Sequence, residues 1–309
     1  MAISAKDVME LRKQTDCGMM ECKKALTEAD GNFEKAIEIL RERGLATAAK
    51  KASRVAAEGM VYADYCPACK VGVVIEVNAE TDFVAKNDIF QDYVENAAKA
   101  ALAVKGDVEG LKAFTCPVTG KDMGTILTDM IAKIGENMNL RRAKVVEVSE
   151  GVVAPYVHNV TRNNLGKIGV LVALESKADK AKLAELGKHI AMHVAASQPL
   201  FLTIADVDPA AVEHEKSIFA EQAKASGKPA NIIEKMVEGR IRKYYDEVVL
   251  EEQAYIMDPD KKVKQVIADA AKELGANIKI KDFACFKLGE GIQKKEEDFA
   301  AEVAAQLNK

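Results

Sequence analysis

The chain has 309 residues, 49% hydrophobic and 30% charged, with 44 Lys plus Arg against 48 Asp plus Glu and a formal charge of −4. That length accommodates two or three domains with cores of their own, and the composition excludes a disordered or membrane-embedded chain. The acidic balance argues against nucleic acid as the main ligand, because such a ligand demands a basic face.

Aromatic residues make up 5% and Trp is absent, while Ala, Glu and Lys abound, which points to many helices. The first residues, Met1 to Ser4, open neither an apolar run of signal length nor an Arg-rich amphipathic presequence. No window approaches the roughly 18 to 20 apolar residues of a membrane span. Six Cys, four of them widely scattered, read as reduced thiols. The expectation is a cytoplasmic protein.

Three short helices are predicted first. Ser4 and Asp7 cap one whose apolar positions are Val8, Met9 and Leu11. A second runs from about Gly18 through Met19, Met20, Cys22, Ala25 and Leu26 to a stop at Asp30-Gly31. In the third, Phe33, Ala36, Ile37 and Leu40 share one face, and Gly44 is read as its end. The Ala- and Lys-rich stretch from Ala46 to Ala57 reads as a linker, helical or not.

Cys66-Pro67-Ala68-Cys69 has the spacing of half a zinc site or of a redox dithiol. A zinc site needs about four ligands, and Cys116 stands alone some fifty residues on. The pair also precedes a strand, in a hairpin turn, whereas a thioredoxin-like site wants a strand-to-helix junction. A structural turn is the plainer reading.

Residues Val71 to Val77 are nearly all β-branched, as in a buried strand, and Asn78, Ala79 and Glu80 are read as its break. Glu80-Thr81-Asp82-Phe83-Val84 then forms a strand-to-helix corner. Phe83, flanked by Asp82 and followed by Lys86, either folds back as core or stands out for a partner.

The strand Lys70–Val77 is echoed by Lys167–Leu174, with Gly72 and Gly169 at matching places that suggest a bulge or a close backbone approach. Each copy precedes an Ala-rich helix, near 90–104 and 181–197, and a further strand is predicted at 143–148. Two related α+β units are the economical reading. From Pro209 to about Glu252 two long helices follow, turning at Ser226-Gly227-Lys228-Pro229, with Asn231 as a cap. They read as an antiparallel hairpin or as helices laid on the core. A helix over 263–274, strand-like 278–280 and 284–286, and a helix over 299–307 complete the order.

No phosphate loop, dinucleotide fingerprint, H-E-x-x-H or G-x-S-x-G occurs. His189 and His193, four apart on a predicted helix, suit a packed face better than a metal. On these residues the chain is not an obvious enzyme. A thiol- or zinc-dependent protein centred on Cys66 and Cys69 stays as the alternative.

Several segments together resemble the elongation factor Ts family. They are Leu11–Thr15, Gly18–Leu26, Glu76–Lys86, Ile134–Asn137, His189–Ser197 and Glu234–Arg240. The family implies an α+β fold with five parts: a UBA-like three-helix domain (1–55), two related α+β subdomains with antiparallel sheets (56–142; 143–208 with 253–290), a protruding helical hairpin (209–252) and a C-terminal module (291–309). The hairpin is also a candidate for self-association. The resemblance implies a nucleotide exchange factor for GDP-bound elongation factor Tu, not an enzyme, with no direct nucleic-acid contact. In the family the segment matching Thr81, Asp82, Phe83 and Val84 intrudes beside the Mg²⁺ site of the GTPase. Met19 and Met20 then fall near its phosphate side, with at least one of them expected in the three-helix core. His158 and Phe299 match further partner contacts. Asp16-Cys17, the Cys66–Cys69 pair and the Cys116–Lys121 segment depart from the family pattern.

Overall fold

The structure is a computed structural model that describes residues 3–15, 17–224 and 229–293. The chain divides into two compact units, one of Met1–Val61, Ile75–Ala143 and Lys287–Lys309, the other of Tyr62–Val74 and Lys144–Phe286. Helices and antiparallel pairing mix throughout, which makes the class α+β.

The first unit opens with α1 (Ala5–Thr15), α2 (Met19–Glu28) and α3 (Phe33–Lys51). Ser4 and Asp7 form the expected reciprocal cap: Asp7 N–H donates to Ser4 Oγ at 3.1 Å, and Ser4 N–H to Asp7 Oδ2 at 3.0 Å. Val8, Leu11, Cys22, Ala25, Leu26, Ala36 and Leu40 form the small core. Asp30 and Gly31, both at positive φ, close α2 as the sequence predicts.

Gly44 does not end α3. The Ala-rich stretch behind it propagates the helix to Lys51, and Gly44 is buried where α3 meets α7 (Met123–Ile134); a Cβ at Gly44 would lie 3.8 Å from Ala132 Cβ. Between them in sequence come β1 (Glu58–Cys66), β2 (Val71–Ala79), α4 (Asp82–Ala85), α5 (Asp88–Ala103) and α6 (Val108–Ala113), and after α7 comes β3 (Met138–Glu147). Strand β2 runs two residues past its β-branched core. Asn78 is tolerated there because its amide donates to Glu58 O and Glu76 Oε1, at 3.3 and 2.9 Å.

The second unit holds β4 (Gly151–His158), β5 (Leu165–Gly166), β6 (Ile168–Glu175), α8 (Lys180–Ser197), α9 (Pro209–Lys224), α10 (Ala230–Val248), β7 (Ala254–Tyr255), β8 (Asp258–Lys262), α11 (Val263–Leu274) and β9 (Lys279–Lys287). Strands β1, β2 and β3 contribute to both units, in the sheet order β3-β2-β1-β5, and β4-β6-β9 form a second sheet. β4 and β6 pair antiparallel from Gly151↔Glu175 to His158↔Ile168. Leu183, Ile190 and Val194 of α8 and Val263 and Ile267 of α11 join Val170, Val172 and Leu174 of β6 in one core.

Gly72 marks a close approach rather than a bulge: a Cβ there would sit 2.6 Å from Val153 Cγ1 and 3.1 Å from a Leu171 methyl. Strand β9 joins the two short strand-like pieces into one.

Helices α9 and α10 pack in a small core with Phe201, Val207 and Val249 outside them; α9 supplies Val212 and Phe219, and α10 supplies Val237, Ile241 and Val248. Arg240 lies over the Phe219 ring at 5.9 Å. Pro229, not Asn231, stands at the α10 N-cap, so Asn231 falls inside the first turn. The turn residues 225–228 and the predicted helix over 299–307, with Phe299, lie outside the described residues.

Candidate functional site

Strand β2 ends buried at Ala79, and the chain then bends at Glu80 into a single helical turn, α4. Thr81 is extended (φ −123°, ψ 157°) and its hydroxyl accepts from Val84 N–H at 3.4 Å, which satisfies one N–H that a helix start leaves unpaired. One turn is too short to hold itself together. It is held by side chains that point inward: Val84 and Ala85 are 7% and 2% exposed.

Phe83 faces the opposite way and is 81% exposed, the highest value of any large apolar side chain among the described residues. The structure therefore selects the outward reading of this residue over the core one. Lys86 Nζ lies 2.6 Å from Asp82 Oδ2, an exposed pair one turn apart.

A second segment braces this corner. Helix α7 stops at Gly135, whose left-handed φ of 86° reverses the chain while its N–H donates to Ile131 O. Glu136 then reaches the corner: Thr81 N–H donates to Oε2 at 3.0 Å and Thr81 Oγ–H to Oε1 at 2.8 Å. In return Asn137 N–H donates to Glu80 Oε1 at 2.5 Å, and Asn137 Nδ2 donates to Arg54 O at 2.7 Å. In the sequence Ile134–Asn137 stands out only as a family match, 55 residues from Thr81, with nothing that joins it to the corner. The available signal was a helix-stopping Gly followed by Glu and Asn.

Met19 and Met20 occupy the first turn of α2, after Gly18, and are 42% and 65% exposed. Neither enters the three-helix core, against expectation. Cys22, Ala25 and Leu26, on the other face of α2, fill it instead. Met19 lines a shallow concavity with Met9, Arg12 and Lys13.

A family profile described as "Elongation factor TS" matches residues 80–290. "Elongation factor Ts" of Rhodospirillum rubrum is 56% identical over 308 residues, covering 99% of both chains. That of Paramagnetospirillum magneticum is 57% identical over 304 residues, covering 98% of this chain and 97% of its own, and that of Rhodospirillum centenum is 54% identical with 98% of both covered. The chain belongs to the elongation factor Ts family.

Elongation factor Ts membership makes this a translation elongation factor and supports a role in nucleotide exchange on elongation factor Tu. No helix of the described residues is long and apolar enough to cross a membrane. The other residues singled out by the family resemblance are apart from the Phe83 corner in sequence. His158 ends β4, exposed, with its Nδ1 3.0 Å from the Tyr156 hydroxyl. Phe299 lies outside the described residues.

The thiol alternative gains nothing from the comparisons. Cys66 ends β1 and Cys69 lies in the β1–β2 turn that follows, close to the hairpin turn the sequence predicts. Hydrogen bonds from the Cys69 side chain and backbone and from Ala68 N–H hold the Cys66 thiol below its usual range, while Cys66 pushes the Cys69 thiol up. Among the described residues no group of three or more His, Cys, Asp or Glu is placed to hold a metal ion. His193 is a packed residue: Ile256 N–H donates to its Nδ1 at 3.3 Å, and its Nε2 lies 2.9 Å from Gln253 Oε1. Both ring nitrogens are thereby used within the fold.

Proposed function

We propose that this chain speeds GDP release from elongation factor Tu by inserting Phe83 beside the Mg²⁺ and phosphate site of that GTPase. Support comes from a large ring left in water on a turn that is fixed from two sides. Leaving such a ring exposed forgoes about 1.5 to 3 kcal/mol of burial, which a partner surface recovers.

GDP on a GTPase is held jointly by backbone N–H groups, a Lys and Mg²⁺. Displacing the groups around the metal weakens the whole set. A thousandfold faster release requires about 4 kcal/mol of preference for the open state. One aromatic anchor contributes about 2 to 4 kcal/mol, so Phe83 with its neighbours is of adequate size.

The remaining roles follow from the placement of each side chain. Thr81 caps the turn, Val84 anchors it inward and Asp82 accompanies the ring at the surface. Met19 and Met20 offer a second, adaptable contact, since Met side chains conform to a surface that moves. His158 and Phe299 are further contacts by family resemblance. The chain acts by contact in the cytoplasm and transforms no substrate. The test is stopped-flow release of labelled GDP from elongation factor Tu, with wild-type chain and with Phe83→Ala. Equal rates would overturn the reading.

A further inference from the structure

The turn that carries Phe83 is four residues long and cannot define its own geometry. Its start is fixed by one side chain from a segment 55 residues away, Glu136, which takes both the N–H and the hydroxyl proton of Thr81. A hydroxyl has one proton to give. With that proton committed to Glu136, the oxygen lone pairs of Thr81 are turned toward Val84 N–H, the bond that closes the turn. Glu136 therefore sets the cap, and the cap sets the direction of the ring two residues on. Glu80 and Asn137 complete a reciprocal exchange, each segment's carboxylate holding a backbone N–H of the other.

We propose that Glu136 is a positioning residue for nucleotide exchange. It holds Phe83 in the outward orientation before the partner arrives, so that the ordering cost is met within the fold and not at the encounter. This rests on the reading of Phe83 as the inserted group. Glu136 acts through Phe83 and is not itself assigned a contact with the partner.

The test is a double-mutant cycle read by release of labelled GDP at saturating chain. Glu136→Ala is expected to lower the maximal rate about tenfold, the size of a lost hydrogen bond to a charged group. In a Phe83→Ala background the same change is expected to alter the rate by less than about twofold. Amide hydrogen exchange at Val84 and Ala85 should quicken in Glu136→Ala, a readout independent of the partner.

Should Glu136→Ala fail to fold, Thr81→Val removes the same hydroxyl from the other side, and Thr81→Ser restores it. An equal cost of Glu136→Ala with and without Phe83, or unchanged exchange at Val84, overturns the positioning role. Wild-type speed in Phe83→Ala alone overturns the insertion reading, and the positioning role with it, and is told apart by that single variant.

Discussion

Arg142 meets Glu76 inside the first unit, its Nε 2.5 Å from the Oε2 of a carboxylate with no exposed surface. Arg141 Nη1 at 3.0 Å, Asn78 Nδ2 at 2.9 Å and Gly289 N–H at 2.8 Å share the other oxygen. Burial alone would push this carboxyl up, but the Gly289 N–H, the Asn78 amide and Arg142 outweigh it and hold Glu76 below the usual range. Both arginines also donate to backbone carbonyls of the 287–290 segment, so one buried charge ties β2, β3 and that segment together. Removing a partner from such a set strands the others. Glu76→Gln is therefore expected to cost about 3 kcal/mol in urea unfolding at pH 7. Because the folded pKa is depressed, the contribution is complete above the unfolded value of about 4.3 and is lost as pH falls through the lower folded one. The gap between wild type and variant should stay constant from pH 7 to about 5 and close below about 4.

Phe83→Ala separates function from folding. The ring touches little within the chain, so stability should change by no more than about 0.5 kcal/mol. Loss of an anchor of about 2 to 4 kcal/mol should slow assisted GDP release by about thirtyfold to a thousandfold. A variant that is slow because its melting temperature has fallen would show the ring to be structural.

The thiols of the β1–β2 turn provide the contrasting case. Cys66 is half-exposed and Cys69 exposed, and no third ligand joins them among the described residues. Cys66→Ser with Cys69→Ser should leave GDP release within about twofold of wild type, with or without a chelator. A loss of exchange in that variant would return the thiol reading to first place.

Much of this architecture was legible because local chemistry dictated it. The β-branched run of β2, the reciprocal Ser4–Asp7 cap and the Asp30-Gly31 stop of α2 each carry their own instructions. What escaped was decided at a distance. Gly44 continues a helix because α7 packs against it. Asn78 stays in a strand because Glu58 and Glu76 satisfy its amide. Phe83 was recognisable as a candidate from its charged neighbours, but its direction depends on Val84 turning inward and on Glu136. No window of sequence contains both halves of that arrangement. Met19 and Met20 mislead for a related reason: apolar residues in a helix suggest a core, and only the packing of Cys22, Ala25 and Leu26 shows that the core is already full.

His193 contributes a pH dependence to the second unit. Its ring lies buried between α8 and the segment before β8, with Gln253 Oε1 and Ile256 N–H on its two nitrogens. Burial lowers its pKa, and the Gln253 hydrogen bond opposes this only in part. The fold thus favours the neutral ring, with Nδ1 accepting and Nε2–H donating. A depressed folded pKa means that the contribution is complete above the unfolded value of about 6.5 and is lost as pH falls toward the folded one. Resistance to urea should weaken as pH falls from 7.5 toward 5.5, where the unfolded chain takes up a proton that the folded ring resists. In His193→Gln the baseline stability should fall, because the ring's packing against Tyr255 is lost, but the slope over the same window should flatten. A slope that persists in the variant would assign the pH dependence to other groups and leave His193 as packing alone.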